Sequence, residues 1–430
     1  MRIAIIGSGI SGLGAAWLLH DAHDITLYEA DNRIGGHSNT VDIDYDGVRI
    51  PIDTGFIVYN ESNYTNLTAL FASLGVKSEA SNMSFAVSTG GGKIEWGSDS
   101  LNTVFAQRRN LFRPIFWATL MEIQKFNKNA PIDLARGALD GLTLSAYLNQ
   151  HGYSNDFRAN YLFPMGGAIW SMPGGGMQGF PAESFVNFCN NHFLLSRNRP
   201  RWRAVSGGSR EYVNKLTAPF ADRIRINSPV VRVCNTGSKV LVQDASGQQT
   251  FFDHVIIAAH GDQALRMLET PSQLERDILG HINYAPNIAY IHRDTALMPR
   301  LRKVWSSWNY ISHGKANPLL SVSYWMNRLQ NISNATPLFI TLNPDVPPKP
   351  ELTFTAIEYD HVQYDMNCLQ AQRRLDMIQG KNNIWYCGAW TAHGFHEDGL
   401  RSGLAVAEKI SGIYRPWAKP ATQIYQEAAE

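Results

Sequence analysis

The chain has 430 residues, 44% of them hydrophobic and 11% aromatic, with 38 Lys and Arg against 37 Asp and Glu for a net charge of +1. That length allows two or three domains with substantial cores, and the balanced charge, without a basic stripe, gives no reason to expect a nucleic acid partner. No apolar run reaches the roughly 18 residues of a spanning helix, and Cys189, Cys234, Cys368 and Cys387 lack metal-type spacing, so reduced thiols and no metal are expected.

Arg2 to Ile6 is a short apolar run suited to a strand buried on both faces. The turn Gly7-Ser8-Gly9-Ile10-Ser11-Gly12 follows, then a helix from Leu13 to His20 and a strand from Ile25 to Tyr28 closed by Glu29. In a dinucleotide-binding unit the first glycine permits the turn, the second admits a pyrophosphate and the third lets helix pack on strand. The pyrophosphate then meets the unpaired N–H groups and positive dipole end of the helix. A carboxylate about 20 residues further on accepts from the ribose hydroxyls, and Glu29 is placed for that. Because the chain enters this strand without a signal-peptide pattern, a cytoplasmic location is expected.

Arg33-Ile34-Gly35-Gly36 adds a second glycine pair that a nicotinamide site does not need. It resembles the Arg-x-Gly-Gly-Arg extension of the FAD-dependent amine oxidase, phytoene desaturase and protoporphyrinogen oxidase superfamily, whose loop lies along the pyrophosphate and flavin. The last Arg of that pattern is His37 here, which replaces a permanent charge with one that depends on pH.

Thr40 to Ile50 reads as a hairpin about Asp46-Gly47. In the superfamily the following Asp53-Thr54-Gly55 brings the chain back to the flavin; a helix-capping turn is an equal reading of Asp53 alone. A strand is expected over Phe56 to Tyr59, a helix over Tyr64 to Leu74 ending at Gly75, and a hairpin over Phe85–Ser88 and Lys93–Trp96. A long helical tract, Leu101 to Lys128, carries Arg108, Arg109 and Arg113 among Leu111, Phe112, Ile115, Phe116, Trp117, Leu120 and Met121. Such a face either packs into the core or lies on a membrane surface. Helices over Leu142–Gln150, Ala159–Met172 and Pro181–Leu195, with a flexible loop at Pro173–Met177, complete the first half of a substrate domain.

Gly207-Gly208 before a helix with Tyr212, Val213 and Leu216 resembles the superfamily's return to the FAD domain. A strand over Ile224–Val233 contains Val230, whose backbone the resemblance puts at the adenine edge. A hairpin over Lys239–Asp244 and Thr250–Phe252 leads to a buried strand, His254 to Ala259, with His260 at its ligand-binding end. Strands at Ile288–His292, Val304–Ile311, Leu319–Trp325, Leu338–Leu342 and Leu352–Ile357 supply the second half of the substrate domain, rich in Trp and Tyr.

Near the C-terminus a strand, Asn383 to Gly388, precedes a loop and a helix over Leu404–Ile410 opened by Gly399-Leu400-Arg401-Ser402-Gly403. This resembles the second FAD motif of the superfamily, in which the helix N-terminus stabilises negative charge on the flavin. The acidic residue common after the glycine is Ala389 here, and Glu397 and Asp398 read as helix caps. His393 and His396 are the acid or base candidates.

The resemblance, nearest to the bacterial amine oxidase-like NAD/FAD-binding branch, implies an α/β fold. Its Rossmann-type FAD-binding domain is discontinuous (1–80, 200–265, 380–415), with an α+β substrate domain of mixed sheet plus helices (81–199, 266–379) and a tail, 416–430. It implies FAD held by Gly7, Gly9, Ser11, Gly12, Glu29, Ala30, Arg33, Gly35, Gly36, His37, Gly55, Val230, Gly388, Ala389, Gly399, Leu400 and Gly403. The reaction expected is hydride transfer between flavin N5 and a hydrophobic, fatty acyl-like substrate, as desaturation or saturation. Amine oxidation by dioxygen is the alternative, and a redox-silent lipid-binding module, as in the Rab GDP-dissociation inhibitors, is an alternative of another class. The location expected is cytoplasmic, with peripheral contact at the inner face of the membrane as an open reading.

Overall fold

The computed structural model describes residues 1–172, 174–196, 200–312 and 321–418. Its first sheet is fully parallel, built from β1 (Arg2–Ile6), β2 (Asp24–Tyr28), β3 (Ile224–Arg225), β4 (His254–Ile257) and β5 (Ile384–Tyr386) in the order β3-β2-β1-β4-β5. Ile5 pairs with Leu27 on one side and Ile256 on the other, and all three side chains are inaccessible. Strands covered on both faces need such unbroken apolar runs. Segments distant in sequence therefore meet in one sheet, with their ligand-binding ends on one edge.

Two helices meet on this sheet, α1 (Ile10–Leu19) and α2 (His396–Ser411). A Cβ added at Gly403 would lie 2.0 Å from the Ser11 carbonyl oxygen, one at Gly399 2.8 Å from Ile10 Cγ2, and one at Gly14 2.6 Å from Leu400 Cδ1. Within the first turn, a Cβ at Gly12 would lie 2.0 Å from the Gly7 carbonyl oxygen. The glycines are thus required by contact between elements.

The second large sheet is mixed, in the order Thr353–Gln363, Asn283–His292, Phe339–Leu342, Ser321–Trp325, Trp308–Ile311, Phe85–Thr89, Ile94–Gly97. Only Trp308–Ile311 and Phe85–Thr89 run parallel among these pairs. Helices from residues 114–191 pack around a core that includes Phe126, Tyr147, Phe157 and Phe185.

Several local expectations are corrected. The tract over Leu101–Lys128 is three pieces, Leu101–Val104, a 3-10 turn Arg108–Phe112, and a helix Pro114–Ala135. Pro114 lacks an N–H and holds Arg113 extended (φ −104°, ψ 106°), so it begins a helix rather than continuing one. The expected strand Ile224–Val233 breaks at Asn227 (φ 51°) and Pro229; its halves, Ile224–Arg225 and Val230–Asn235, join different sheets. Phe56–Val58 is no strand, because Thr54 N and Phe56 N donate to the carbonyls of Asn39 and His37, and pairing is confined to Tyr59–Asn60. Over the expected loop Pro173–Met177, Gly174–Gly179 is helical, with Met177 inaccessible against Gly166, while residue 173 lies outside the described residues.

The helix expected over Ala159–Met172 is a π turn, Arg158–Leu162, then Phe163–Trp170, stopped by Ser171 at φ 53°. The expected Pro181–Leu195 helix spans Ala182–Asn191. The strand expected over Val304–Ile311 starts only at Trp308, after a 3-10 turn. Of Leu319–Trp325, Ser321–Trp325 is strand, and residues 319 and 320 lie outside the described residues. The C-terminal helix begins at His396 instead of Leu404, because Asp398 accepts from the N–H groups of His393 and Phe395 (3.2 Å each) and closes its start.

Gly403→Ala should destabilise the chain by about 1–3 kcal/mol, the usual range for overpacking, seen as a lower urea midpoint at unchanged slope; an unchanged midpoint would mean the helices do not approach this closely. A second expectation concerns His292, inaccessible in the mixed sheet, where Nε2 donates to Thr341 Oγ1 (2.7 Å) and Nδ1 accepts from Asp294 N (3.1 Å). Burial pulls its pKa down to about 4. The folded state keeps this imidazole neutral while the unfolded chain protonates it near the free value of about 6.5. Its stabilisation is therefore present above about pH 6.5 and lost as pH falls toward about 4. Between these limits the melting temperature should fall more steeply for the parent chain than for His292→Leu, each referenced to its own value at neutral pH; parallel profiles would refute the assignment.

Candidate cofactor and active site

The first glycine turn lies at the edge where β1, β2 and β4 end. Gly7 has φ +104°, and a Cβ there would sit 2.9 Å from the Ala258 carbonyl oxygen. Gly9 is the N-cap of α1 and has no side-chain cap, so the first-turn N–H groups at Ile10, Ser11 and Gly12 are left for a ligand. Nothing lies within 4 Å of a Cβ built on Gly9, which leaves the approach open. Gly35 N donates to the Ser8 carbonyl (3.0 Å), and a Cβ on Gly36 (φ +57°) would lie 3.0 Å from Gly9 Cα. The two glycine turns therefore form one cradle. Arg33 Nη1 fixes the second turn by donating to the Gly36 carbonyl (2.8 Å).

Glu29 stands at the tip of β2. Its Oε2 accepts from Ser8 N (2.9 Å) and the Ser8 hydroxyl, and Oε1 from Asp31 N (2.9 Å), which aims the carboxylate at the cradle. Ala30 beside it is exposed. Ser228 N and Asn227 N donate to the carbonyls of Glu29 and Asp31, bringing the segment that opens with Val230 to the same end. On the opposite side, Gly55 packs against the His37 carbonyl, where a Cβ would lie at 2.4 Å. Gly388 N donates to Ser402 Oγ (3.0 Å), and Ala389 Cβ lies 3.6 Å from a Cβ built on Gly399. Ala389, Gly399 and Ser11 thus converge where the N-termini of α1 and α2 meet, with Leu400 and Gly403 in the contact between the helices. Open donors, a carboxylate at the strand tip and glycine-lined walls suit a dinucleotide.

His37 faces the mixed sheet. Its ring centroid is 4.9 Å from Tyr359 and 5.6 Å from His361, which alternate on the strand Thr353–Gln363; their rings are 6° from parallel. Tyr359 OH accepts from Asn39 Nδ2 (3.0 Å) and bonds Thr54 Oγ1 (2.6 Å). His260 stacks on Tyr284 at 4.1 Å. The rings of His37, His260 and His361 are set deep in the protein yet retain accessible surface, as groups lining an internal space do. Burial is the main cause of their lowered pKa values, to about 4 for His361, with mutual repulsion adding to it at His37 and His361. The wall is uncharged at neutral pH. His361 Nδ1 and Tyr364 OH in this region are buried without a protein partner, as expected of groups that meet a ligand.

The two histidines singled out in the sequence are held differently. His396 stacks on Phe56 at 3.9 Å, and its Nε2 is within hydrogen-bond reach of Tyr212 OH (2.7 Å) and Ser38 Oγ (3.0 Å). Burial pulls it down to about 3, so it serves as a neutral hydrogen-bonding partner there. His393 N donates to Asp398 and its carbonyl accepts from Trp170 Nε1 (3.2 Å), with the ring near Phe188. His37 was expected at the cofactor; Tyr359 and His361 beside it were not picked out from sequence, although their spacing puts both on one strand face.

Asp53 does not cap a helix. Buried beneath the site, its Oδ1 accepts from Ser209 N (2.8 Å), Ser209 Oγ (2.7 Å) and Thr40 Oγ1 (2.6 Å), and Oδ2 from Gln330 Nε2 (3.1 Å). Burial raises it to about 6, against the lowering effect of those donors. Glu397 caps a different helix from its own, accepting from Asn66 N (2.9 Å) and Leu67 N (3.0 Å) at the start of Thr65–Leu74.

Comparison with known proteins gives this arrangement a family. The chain is 25% identical over 329 residues to tryptophan 2-monooxygenase of Pseudomonas savastanoi, covering 64% of this chain and 56% of that protein. A 47-residue stretch is 45% identical to L-amino-acid oxidase of Pseudechis australis, 11% of this chain and 9% of that one. The chain therefore spans little more than half of the first curated relative and a small part of the second. Among solved structures, putrescine oxidase bound to putrescine and a CLA-producing fatty acid isomerase from P. acnes each superpose with a TM-score of 0.67 at 16% identity, covering 96% of this chain and 99% of theirs. Cyclohexylamine oxidase from Brevibacterium oxydans IH-35A superposes equally well, over 95% of this chain and 99% of its own. A family model matches residues 10–293, and the chain belongs to the flavin containing amine oxidoreductases.

Proposed function

We propose that this FAD-dependent oxidoreductase transfers hydride between flavin N5 and a long hydrophobic substrate of fatty acyl type, as carbon–carbon desaturation or saturation. One observation carries the choice of substrate class: the buried carboxylates around the site are already engaged within the protein. Asp53 is held by Ser209, Thr40 and Gln330, Glu397 by Asn66 and Leu67, and Asp398 by Arg401 and the N–H groups of His393 and Phe395. An ammonium group brought into the site would find none of these carboxylates free to pair with it, whereas an acyl chain is compatible with the neutral wall of His37, Tyr359 and His361.

When bound, FAD supplies the hydride acceptor or donor. The N–H groups opening α1 would hold its pyrophosphate, Glu29 its ribose, and the N-terminus of α2 would favour negative charge developing on the ring. Gly7, Gly9, Gly12, Gly35, Gly36 and Gly55 let the backbone approach, with Val230 at the adenine edge. His37, Tyr359 and His361 would exclude water from the reacting face. The working division of the chain is an FAD domain of 1–80, 200–265 and 380–415 and a substrate domain of 81–199 and 266–379. A lipid substrate also fits a cytoplasmic protein that touches the inner face of the membrane.

Amine oxidation is the second reading, favoured by the amine and amino-acid oxidases among the relatives. The fatty acid isomerase on the same fold supports the first. The purified protein should show flavin absorption bands, or acquire them on adding FAD. Under anaerobic conditions, unsaturated acyl lipids should perturb or reoxidise the photoreduced flavin, and saturated chains should reduce the oxidised form if the reaction runs toward desaturation. A spectrum that answers only to amines would overturn the substrate class, and a protein that takes up no FAD would overturn the enzyme reading in favour of a lipid-binding module.

A further inference from the structure

Among the described residues no helix is long and apolar enough to cross a membrane. One surface nevertheless exposes large apolar side chains in close succession. Phe112 is 86% exposed, Leu101 78%, Met121 63%, Ile115 57% and Trp117 44%. They cluster because the chain turns sharply before Pro114: the 3-10 turn Arg108–Phe112 ends against the N-terminus of the helix Pro114–Ala135. Trp117 folds back, its Nε1 donating to the Leu111 carbonyl (3.0 Å) and its ring lying 5.2 Å from Phe105. The other face of the helix is occupied by the core residues Phe116, Phe126 and Ala130. The packing of the described residues therefore leaves this apolar surface uncovered, whereas single exposed hydrophobic residues would need no explanation.

The same surface is cationic. Arg108 Nη2 and Lys303 Nζ both donate to Asn102 Oδ1 at 2.6 Å, and Arg109 donates to the Lys93 carbonyl. Arg113 lies at a shallow cleft of about 40 Å³ that it shares with Ile115, Phe116 and Trp96. Among the described residues none of these four cations is in an ion pair. The cleft's carboxylate, Asp156, accepts from Asn160 Nδ2 (3.4 Å). Apolar side chains ringed by unpaired arginine and lysine match a bilayer interface, with acyl chains below and phosphates at the plane of the charges.

From this juxtaposition we propose that the surface formed by Leu101, Phe112, Ile115, Trp117 and Met121 with Arg108, Arg109, Arg113 and Lys303 docks the protein peripherally on a bilayer containing anionic phospholipid. The inference deepens the peripheral location proposed above, and it does not depend on which substrate the site oxidises or reduces. Insertion is confined to the apolar tip, and the arginines select the charge of the surface.

The test uses the full chain loaded with FAD and vesicles of phosphatidylcholine with or without phosphatidylglycerol. The protein should sediment with the mixed vesicles, with partitioning at least about tenfold weaker to pure phosphatidylcholine and reduced by added salt. The double variant Phe112→Asp, Met121→Asp should lose binding to both vesicle types. Arg108→Gln, Arg109→Gln, Arg113→Gln together should abolish only the preference for the anionic lipid. These side chains are on the surface, so flavin absorption and the melting temperature should match those of the parent and report that the fold is intact. Failure of the parent to bind either vesicle, or equal binding by the Asp variant, would overturn the proposal. So would a dimer seen by light scattering that the Asp variant dissociates, since the patch would then belong to a second copy of the chain. Vesicle binding and substrate turnover are separate readouts, so failure of one leaves the other standing.

Discussion

The structure depends on a backbone contact between two helices more than 370 residues apart in the chain. Where α1 and α2 meet, Gly403 faces the carbonyl of Ser11 at a distance that excludes a Cβ, and Gly399 and Gly14 remove the next obstacles along the interface. That closeness brings two helix N-termini to one edge of the parallel sheet. Each terminus carries roughly half a positive charge, and their convergence directs both dipole ends at one place. The glycines thus serve packing and function through the same missing methyl groups.

Holding distant segments in register is the work of buried carboxylates. Asp53, on the hairpin after the second glycine turn, gathers Ser209 from the returning segment and Gln330 from the mixed-sheet side. Glu397, in the first turn of α2, closes the start of the helix Thr65–Leu74. A buried carboxylate without partners would be costly; each of these is satisfied by several donors from different parts of the chain. They therefore specify which segments meet, whereas apolar burial alone would tolerate small shifts. The same hydrogen bonds occupy their acceptor oxygens within the protein.

The nucleotide half was legible because its signals are local. Gly7, Gly9 and Gly12 followed by a helix, and Glu29 at a strand tip, lie within one short stretch whose spacing has a mechanical meaning. The mixed sheet was legible only in fragments, since its strand order depends on pairings across the chain that no local pattern encodes. Tyr359 and His361 lie beyond the strand expected over Leu352–Ile357, which in fact runs from Thr353 to Gln363, and they form a wall only when His37 is brought beside them. Pro114 was visible in the sequence as a breaker; the surrounding apolar run concealed it, and the uninterrupted helix was the wrong consequence. Asp398 likewise moves the start of α2 upstream of the expected glycine opening by closing the turn at His393 and Phe395.

Two positions depart from the superfamily pattern, and together they define this site's electrostatics. At His37 the expected guanidinium gives way to an imidazole that burial and neighbouring His361, His260 and His396 keep neutral. At Ala389 the expected carboxylate is a methyl group packed near Gly399 and Ser11. One permanent positive and one permanent negative charge are thus absent from the same end of the sheet. Losing both preserves the net balance, and beside Glu29 and Arg33 the site keeps the field of the helix termini. Such a field is set by backbone geometry and changes little with pH.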